Sequence, residues 1–363
     1  MTIQHKDEIK DRALEERERQ LRHVNQQLEI SEEVIALFER RIAELEQEIY
    51  QRDKLSDWAT VKLRWRERKR MPSKMCRWSD AVMDDSAVYV RNEDRREIYS
   101  YDITSGAWSQ LPKCVDASGP IVLISGYLTT VGGYDSNELF SLTGKGSGGK
   151  WTKKFPPMPT KRHWTTALCT ETMLIVAGGC GVCGEVLSTV EVMNTENYQW
   201  YTAADLPESM HKASATVCGG RIYVLGGTDG SNIYTKSIYT CYFSALLQSC
   251  KLSSPGAHLE KISSVDRAIT WSKVTDLPVT RSTCVSFHGR LLAIGGVDSG
   301  LPTTAVYIYC SSTRSWGIVS HMVTGRCDCF AAVLPGNQLM VMGGCIGDKF
   351  TVSDNAEFAS MYA

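Results

Sequence analysis

Five short apolar runs along the chain end in a glycine pair: Val131-Gly132-Gly133, Ala177-Gly178-Gly179, Leu225-Gly226-Gly227, Ile294-Gly295-Gly296 and Met342-Gly343-Gly344. The residues leading into each pair alternate as a strand does, as in Arg221-Ile222-Tyr223-Val224-Leu225 and Arg290-Leu291-Leu292-Ala293-Ile294. Roughly ten residues later a second run follows: Val190-Glu191-Val192-Met193, Ser237-Ile238-Tyr239-Thr240 and Val306-Tyr307-Ile308-Tyr309. A tryptophan comes next (Trp108, Trp151, Trp200, Trp271, Trp316), then an apolar-proline turn at Leu111-Pro112, Met158-Pro159, Leu206-Pro207 and Leu277-Pro278. Successive glycine pairs lie 46, 48, 69 and 48 residues apart, a recurrence that marks a repeat architecture.

Residues 1–57 follow another period. No glycine occurs before Gly106 and no proline before Pro72, and Glu, Arg, Gln and Leu, all good helix formers, dominate. Leu14, Leu21, Leu28, Ile35, Ile42 and Ile49 recur every seven residues. Val24, Phe38 and Leu45 stand three residues after three of them, with Arg17 and Ser31 at two of the remaining such positions. This a/d pattern predicts a coiled-coil helix of about 54 Å from Leu14 to Ile49. Its narrow apolar stripe needs a cover: a second copy in a homodimer, with a homotrimer or the chain's own propeller as alternatives.

Four short strands make a sheet that cannot bury both faces alone, and stacking such sheets radially covers them and leaves only short edges. The glycines suit a strand end that turns with positive φ and lets backbones approach closely. The glycine pairs, the tryptophans and the apolar-proline turns together resemble the kelch repeat, the blade of a β-propeller, over residues 58–363. The resemblance implies a mainly β, six-bladed propeller, related also to galactose oxidase, with blades near 78–115, 119–159, 163–207, 213–278, 282–323 and 327–363. Ala87-Val88-Tyr89-Val90-Arg91-Asn92 stands where the first blade's glycine pair belongs, so that turn departs from the pattern. The glycine-to-tryptophan distance of 45 in blade four predicts an insertion at 244–268. Val61-Lys62-Leu63-Arg64-Trp65 with Met71-Pro72 reads as the end of a repeat, and the last repeat stops without a tryptophan. Residues 58–72 are therefore expected to supply the strand that closes the last blade, with Lys62, Arg64, Arg66, Arg68, Lys69 and Arg70 on its solvated face.

Composition narrows the function. The formal net charge is −1, which argues for neither nucleic acid nor membrane as a partner. No apolar stretch approaches the ~20 residues of a membrane span, and the charged N-terminus does not read as a signal peptide. A cytoplasmic protein is expected, nuclear being the alternative, with its thirteen cysteines reduced. Cys169, Cys218, Cys241 and Cys284 fall in strand runs, and neither Cys180-Gly-Val-Cys183 nor Cys327-Asp-Cys329 completes a zinc set. No metal or cofactor is expected.

Catalysis finds little support. Seven histidines are scattered without ligand spacing, and the copper set of the oxidase branch does not map onto them. The stretch from Gly144 to Lys150 lacks the spacing of a phosphate loop. Binding remains: the loops between blades and those after the glycine pairs emerge on one face, which in the kelch family commonly receives a partner peptide. The first set supplies Arg77, Arg162, His163, His211, Lys212, Arg281 and Arg326; the second supplies Tyr134, Asp229, Asn232 and Asp298. A basic inner ring would suit an acidic peptide, although the same arginines could serve loop carbonyls. The expected role is a non-enzymatic scaffold or adaptor made multivalent by the coiled coil. An actin crosslinker and a substrate-recognition subunit joined to a ubiquitin ligase through a partner are the alternatives.

Overall fold

The computed structural model describes residues 62–68, 70–72, 80–92, 96–116, 118–144, 148–243, 246, 271–311 and 313–362. Chain contacts separate Met1–Trp58 from Ala59–Ala363. The heptad positions Leu14, Leu21, Val24, Leu28, Ile35, Phe38, Ile42, Leu45 and Ile49, together with Arg77 and most of the 244–268 insertion, lie outside the described residues.

Each repeat folds into a four-stranded antiparallel sheet in which sequence neighbours pair. Blade three is representative: Thr166–Cys169, Met173–Ala177, Val190–Asn194 and Trp200–Ala203 run from the innermost strand to the outermost. The first blade, Asp80–Met83, Ala87–Asn92, Glu97–Asp102 and Trp108–Leu111, forms without the glycine pair. The six innermost strands, at Asp80–Met83, Ile121–Ile124, Thr166–Cys169, Ser214–Cys218, Thr283–Phe287 and Phe330–Leu334, each pack against the next, and the sixth returns to the first. Six blades thus close a ring.

The last blade is assembled from two distant segments. Lys62–Arg68 pairs antiparallel with Ala356–Tyr362, with Trp65 opposite Ala359. Leu63 is buried while Arg64, Arg66 and Glu67 are exposed, the alternation of an outer strand with one solvated face.

Burial explains the stacking. Alternate residues of the second strand point to opposite neighbours: Leu174 and Val176 enter the core shared with blade two, Met173, Ile175 and Ala177 the core shared with blade four. One such cluster lies at each of the six blade interfaces. Four of the six outer-strand tryptophans fasten their blade to the preceding one. Trp151, Trp200 and Trp271 donate their indole N–H to the carbonyls of Pro112, Pro156 and Ala204 at 3.0, 3.2 and 2.9 Å, and Trp65 donates to Ser320 Oγ at 3.0 Å. Trp108 and Trp316 make no such bond among the described residues.

Candidate functional site

The loops between blades and the loops after the second strands meet at one end of the ring. The meeting depends on the glycine pairs, whose ten residues all have positive φ. A Cβ on Gly178 would lie 2.2 Å from the Met210 carbonyl oxygen, and one on Gly295 2.3 Å from that of Arg326. Only a bare backbone admits the adjoining loop so closely. Short two-residue ladders result, such as Met210–His211 with Thr228–Asp229 and Arg326–Cys327 with Cys345–Ile346.

Four inter-blade loops place one residue each in the left-handed region: Trp164 (φ 49°), Lys212 (56°), Arg281 (59°) and Asp328 (50°). The loops join one another through main-chain bonds. Trp164 N–H donates to Ser118 O at 2.9 Å, Lys212 N–H to Trp164 O at 2.8 Å and Asp328 N–H to Arg281 O at 3.0 Å. All four residues line a central cavity of about 530 Å³, together with Asp80, Arg91 and Tyr234. A tryptophan at positive φ is strained by about 1–3 kcal/mol, and such strain gathers at functional sites.

Around Trp164 the side chains form a stack. Lys212 Nζ sits 3.7 Å over its ring, His211 lies against it at 5.6 Å, and His163 meets its edge at 4.7 Å. Tyr134, 74% exposed, rests on His163 at 5.1 Å. Across the mouth Arg281 holds Asp328 through two guanidinium nitrogens and faces the rings of Tyr234 and Phe350 at 5.1 and 5.0 Å. Asp229 accepts the N–H groups of Ser231 and Ile233 and so shapes its own loop; Asn232 and Asp298 are exposed.

Two residues expected to contact a partner do something else. Arg162 and Arg326 are 1% and 0% exposed. Arg162 donates to the carbonyls of Gly178 and Thr189, both at 3.0 Å, and pairs with buried Glu191 at 3.0 Å. Arg326 donates to the carbonyls of Gly343 and Asn355 and pairs with buried Glu357 at 2.5 Å. They hold blades three and six together internally, because a carboxylate on the third strand draws each guanidinium under its own glycine turn. His163 and His211 are also buried, so among the described residues the basic inner ring narrows to Lys212 and the neutralised Arg281.

What the face displays is apolar. Four successive loops after the second strands each expose a large apolar residue: Tyr134, Val182, Ile233 and Leu301. Tyr234, Val115 and Val323 are exposed on the same end, which therefore carries seven of the nine exposed large apolar residues among those described. Among the described residues no three His, Cys, Asp or Glu side chains converge as metal ligands.

The Kelch motif family model matches residues 162–207, 210–240 and 278–322. The described ring is a propeller that carries Kelch motifs over these residues. Kelch-like protein 35 of Mus musculus is 26% identical over 153 residues, 40% of this chain and 25% of that protein. Kelch repeat protein M-T8 of Myxoma virus (strain Lausanne) is 28% identical over 264 residues, 70% of this chain and 37% of that protein. The chain thus spans between a quarter and about 37% of these two relatives. The solved structure of YjhT superposes with a TM-score of 0.60 at 13% identity, over 81% of this chain and 99% of that one, a likeness of fold.

The propeller's mouth carries a pH signature. His211 is 4% exposed. Burial, then the nearby charges of Lys212 and His163, pull its pKa from 6.5 to about 4, against weaker opposing effects of Asn232 and Asp229. The unfolded chain takes up this proton near pH 6.5 and the folded chain only near pH 4. Stability therefore falls as pH drops through that window, by at most about 3 kcal/mol. His211→Gln is expected to flatten the change in urea midpoint between about pH 7.5 and pH 5; an unchanged dependence would remove His211 from this account.

Proposed function

We propose that the chain is a non-catalytic adaptor that docks a partner protein on the loop face of its propeller. The observation that carries this is the run of exposed Tyr134, Val182, Ile233 and Leu301 on four successive loops around the cavity mouth. Apolar surface gathered on one end of a protein marks an interaction site. Lys212 over Trp164, and Arg281 between two rings, add cations that can read polar or acidic groups at the centre of such a contact. The kelch-like relatives support a protein-interaction propeller of this kind. In this reading the heptads of residues 14–49 pair two copies in the cytoplasm, and two linked sites gain avidity if both engage at once.

The test compares proteins captured by the wild-type chain, by Tyr134→Ser with Leu301→Ser, and by Ile318→Ser, which removes an exposed apolar residue of an outer strand. A protein held by the wild type and by Ile318→Ser, and lost from the double variant, is the expected result. Equal retention by all three sinks the face. Light scattering on the full chain and on a chain beginning at residue 59 reads the pairing: a dimer and a monomer are expected, and two monomers exclude it.

A further inference from the structure

The residue just before each glycine turn ends the second strand and faces the innermost strand. Ala177, Leu225, Ile294 and Met342 pair there with Thr166, Ser214, Thr283 and Phe330, and all four are buried. In the first blade the same register pairs Asp80 with Arg91. Arg91 is 3% exposed and lines the central cavity. Neither its Nε nor its Nη1 has a hydrogen-bond partner among the described residues.

A guanidinium cannot shed its charge, so this one is desolvated and left with two idle donors, an arrangement that costs several kcal/mol unless an anion answers it. Asp80 opposes this charge electrostatically and accepts the N–H groups of Ala81 at 2.9 Å and Ile121 at 2.8 Å, but it makes no hydrogen bond to Nε or Nη1. The lining also includes Ser118, Pro120, Trp164 and Lys212, and Asp328 with its partner Arg281. A volume of about 530 Å³ holds a small anion with its water.

We propose that the cavity binds an oxyanion through Arg91, with Lys212 contributing positive potential at the mouth. The oxyanion is either free in solution or the carboxylate of a glutamate or aspartate side chain that reaches into the mouth. This goes beyond the docking face, since a free anion would bind whether or not a partner does.

The experiment follows thermal unfolding of the full chain at constant ionic strength, with chloride exchanged for inorganic phosphate, acetate or N-acetyl-glutamate amide. Wild type is expected to melt about 5 °C higher at a hundredfold excess of the bound anion over its Kd. Arg91→Leu is expected to gain nothing from any of these anions and, because it leaves buried Asp80 without its opposing charge, to melt below wild type before an anion is added. Should that variant not fold, the Arg91 Nε–H resonance of the wild type is followed through the same titration. A response to phosphate or acetate alone assigns a free anion, and one that includes the glutamate derivative assigns a side-chain carboxylate. An unresponsive wild type, equal responses in wild type and Arg91→Leu, or an Nε–H signal that does not move overturns the site.

Discussion

A chain beginning at residue 73 is expected to melt far below a chain beginning at residue 59 and to lose its single cooperative transition. The first cut removes Lys62–Arg68, and with it all seven pairings to Ala356–Tyr362. Leu63 leaves the core between blades five and six, and Met71 leaves the core between blades six and one. Each such side chain contributes about 1.5–3 kcal/mol. The bond from Trp65 to Ser320 and that from the Met71 N–H to the Asp354 carbonyl, 2.9 Å, go as well. A total above about 5 kcal/mol is a large share of the 5–15 kcal/mol that a folded domain possesses. The bared strand Ala356–Tyr362 would also offer its free hydrogen-bonding groups to other copies, so the shorter chain is expected to associate on a sizing column. Melting points within about 2 °C of each other, with equal elution, would show that this strand does not close the ring.

Much of the architecture was legible because its causes are local. A glycine pair after a period-2 apolar run reports a strand ending in a turn that only glycine can make, and Gly178 with its 2.2 Å approach to Met210 shows the reason. The tryptophans were legible as bulky outer residues; their N–H bonds to the preceding blade were not, since the accepting carbonyls lie 39 to 67 residues earlier in the chain. The end of the ring where the loops meet was legible as a place but not in its chemistry. Arg162 and Arg326 look like any basic loop residue until Glu191 and Glu357, on a later strand, are set against them. Val182, Ile233 and Leu301 stand at irregular distances after their glycine pairs, so no period exposes them. Trp164 carries no sequence mark of its positive φ, because an aromatic residue is a poor choice for that conformation.

Replacing Arg326 by Ala is expected to cost about 3–5 kcal/mol, whereas Arg326→Met combined with Glu357→Tyr is expected to recover most of it. The single change leaves Glu357 fully buried with only the N–H groups of Val323 and Thr324, at 2.7 and 3.1 Å, to oppose its charge, and takes the guanidinium from the Gly343 carbonyl and from that of Asn355, which keeps the Gly343 N–H at 3.2 Å. Breaking one side of a buried pair carries a penalty of that size, while exchanging both partners for apolar groups is often neutral. The chain already contains the exchange. Blade four places Met210 and Tyr239 where blades three and six place arginine and glutamate: Glu191, Tyr239 and Glu357 oppose Val176, Val224 and Val341, each two residues before the first glycine of the pair. Met210 and Tyr239 share one core cluster at 1% and 2% exposure. Urea unfolding of the wild type and of the Arg326→Met, Glu357→Tyr and double variants gives the coupling directly, with Arg326→Ala measured beside them. Recovery in the double variant would show that the pair fills space that apolar packing fills equally well in a neighbouring blade. A double variant no more stable than Arg326→Ala would instead show that the Gly343 and Asn355 carbonyls need the guanidinium whatever stands opposite it.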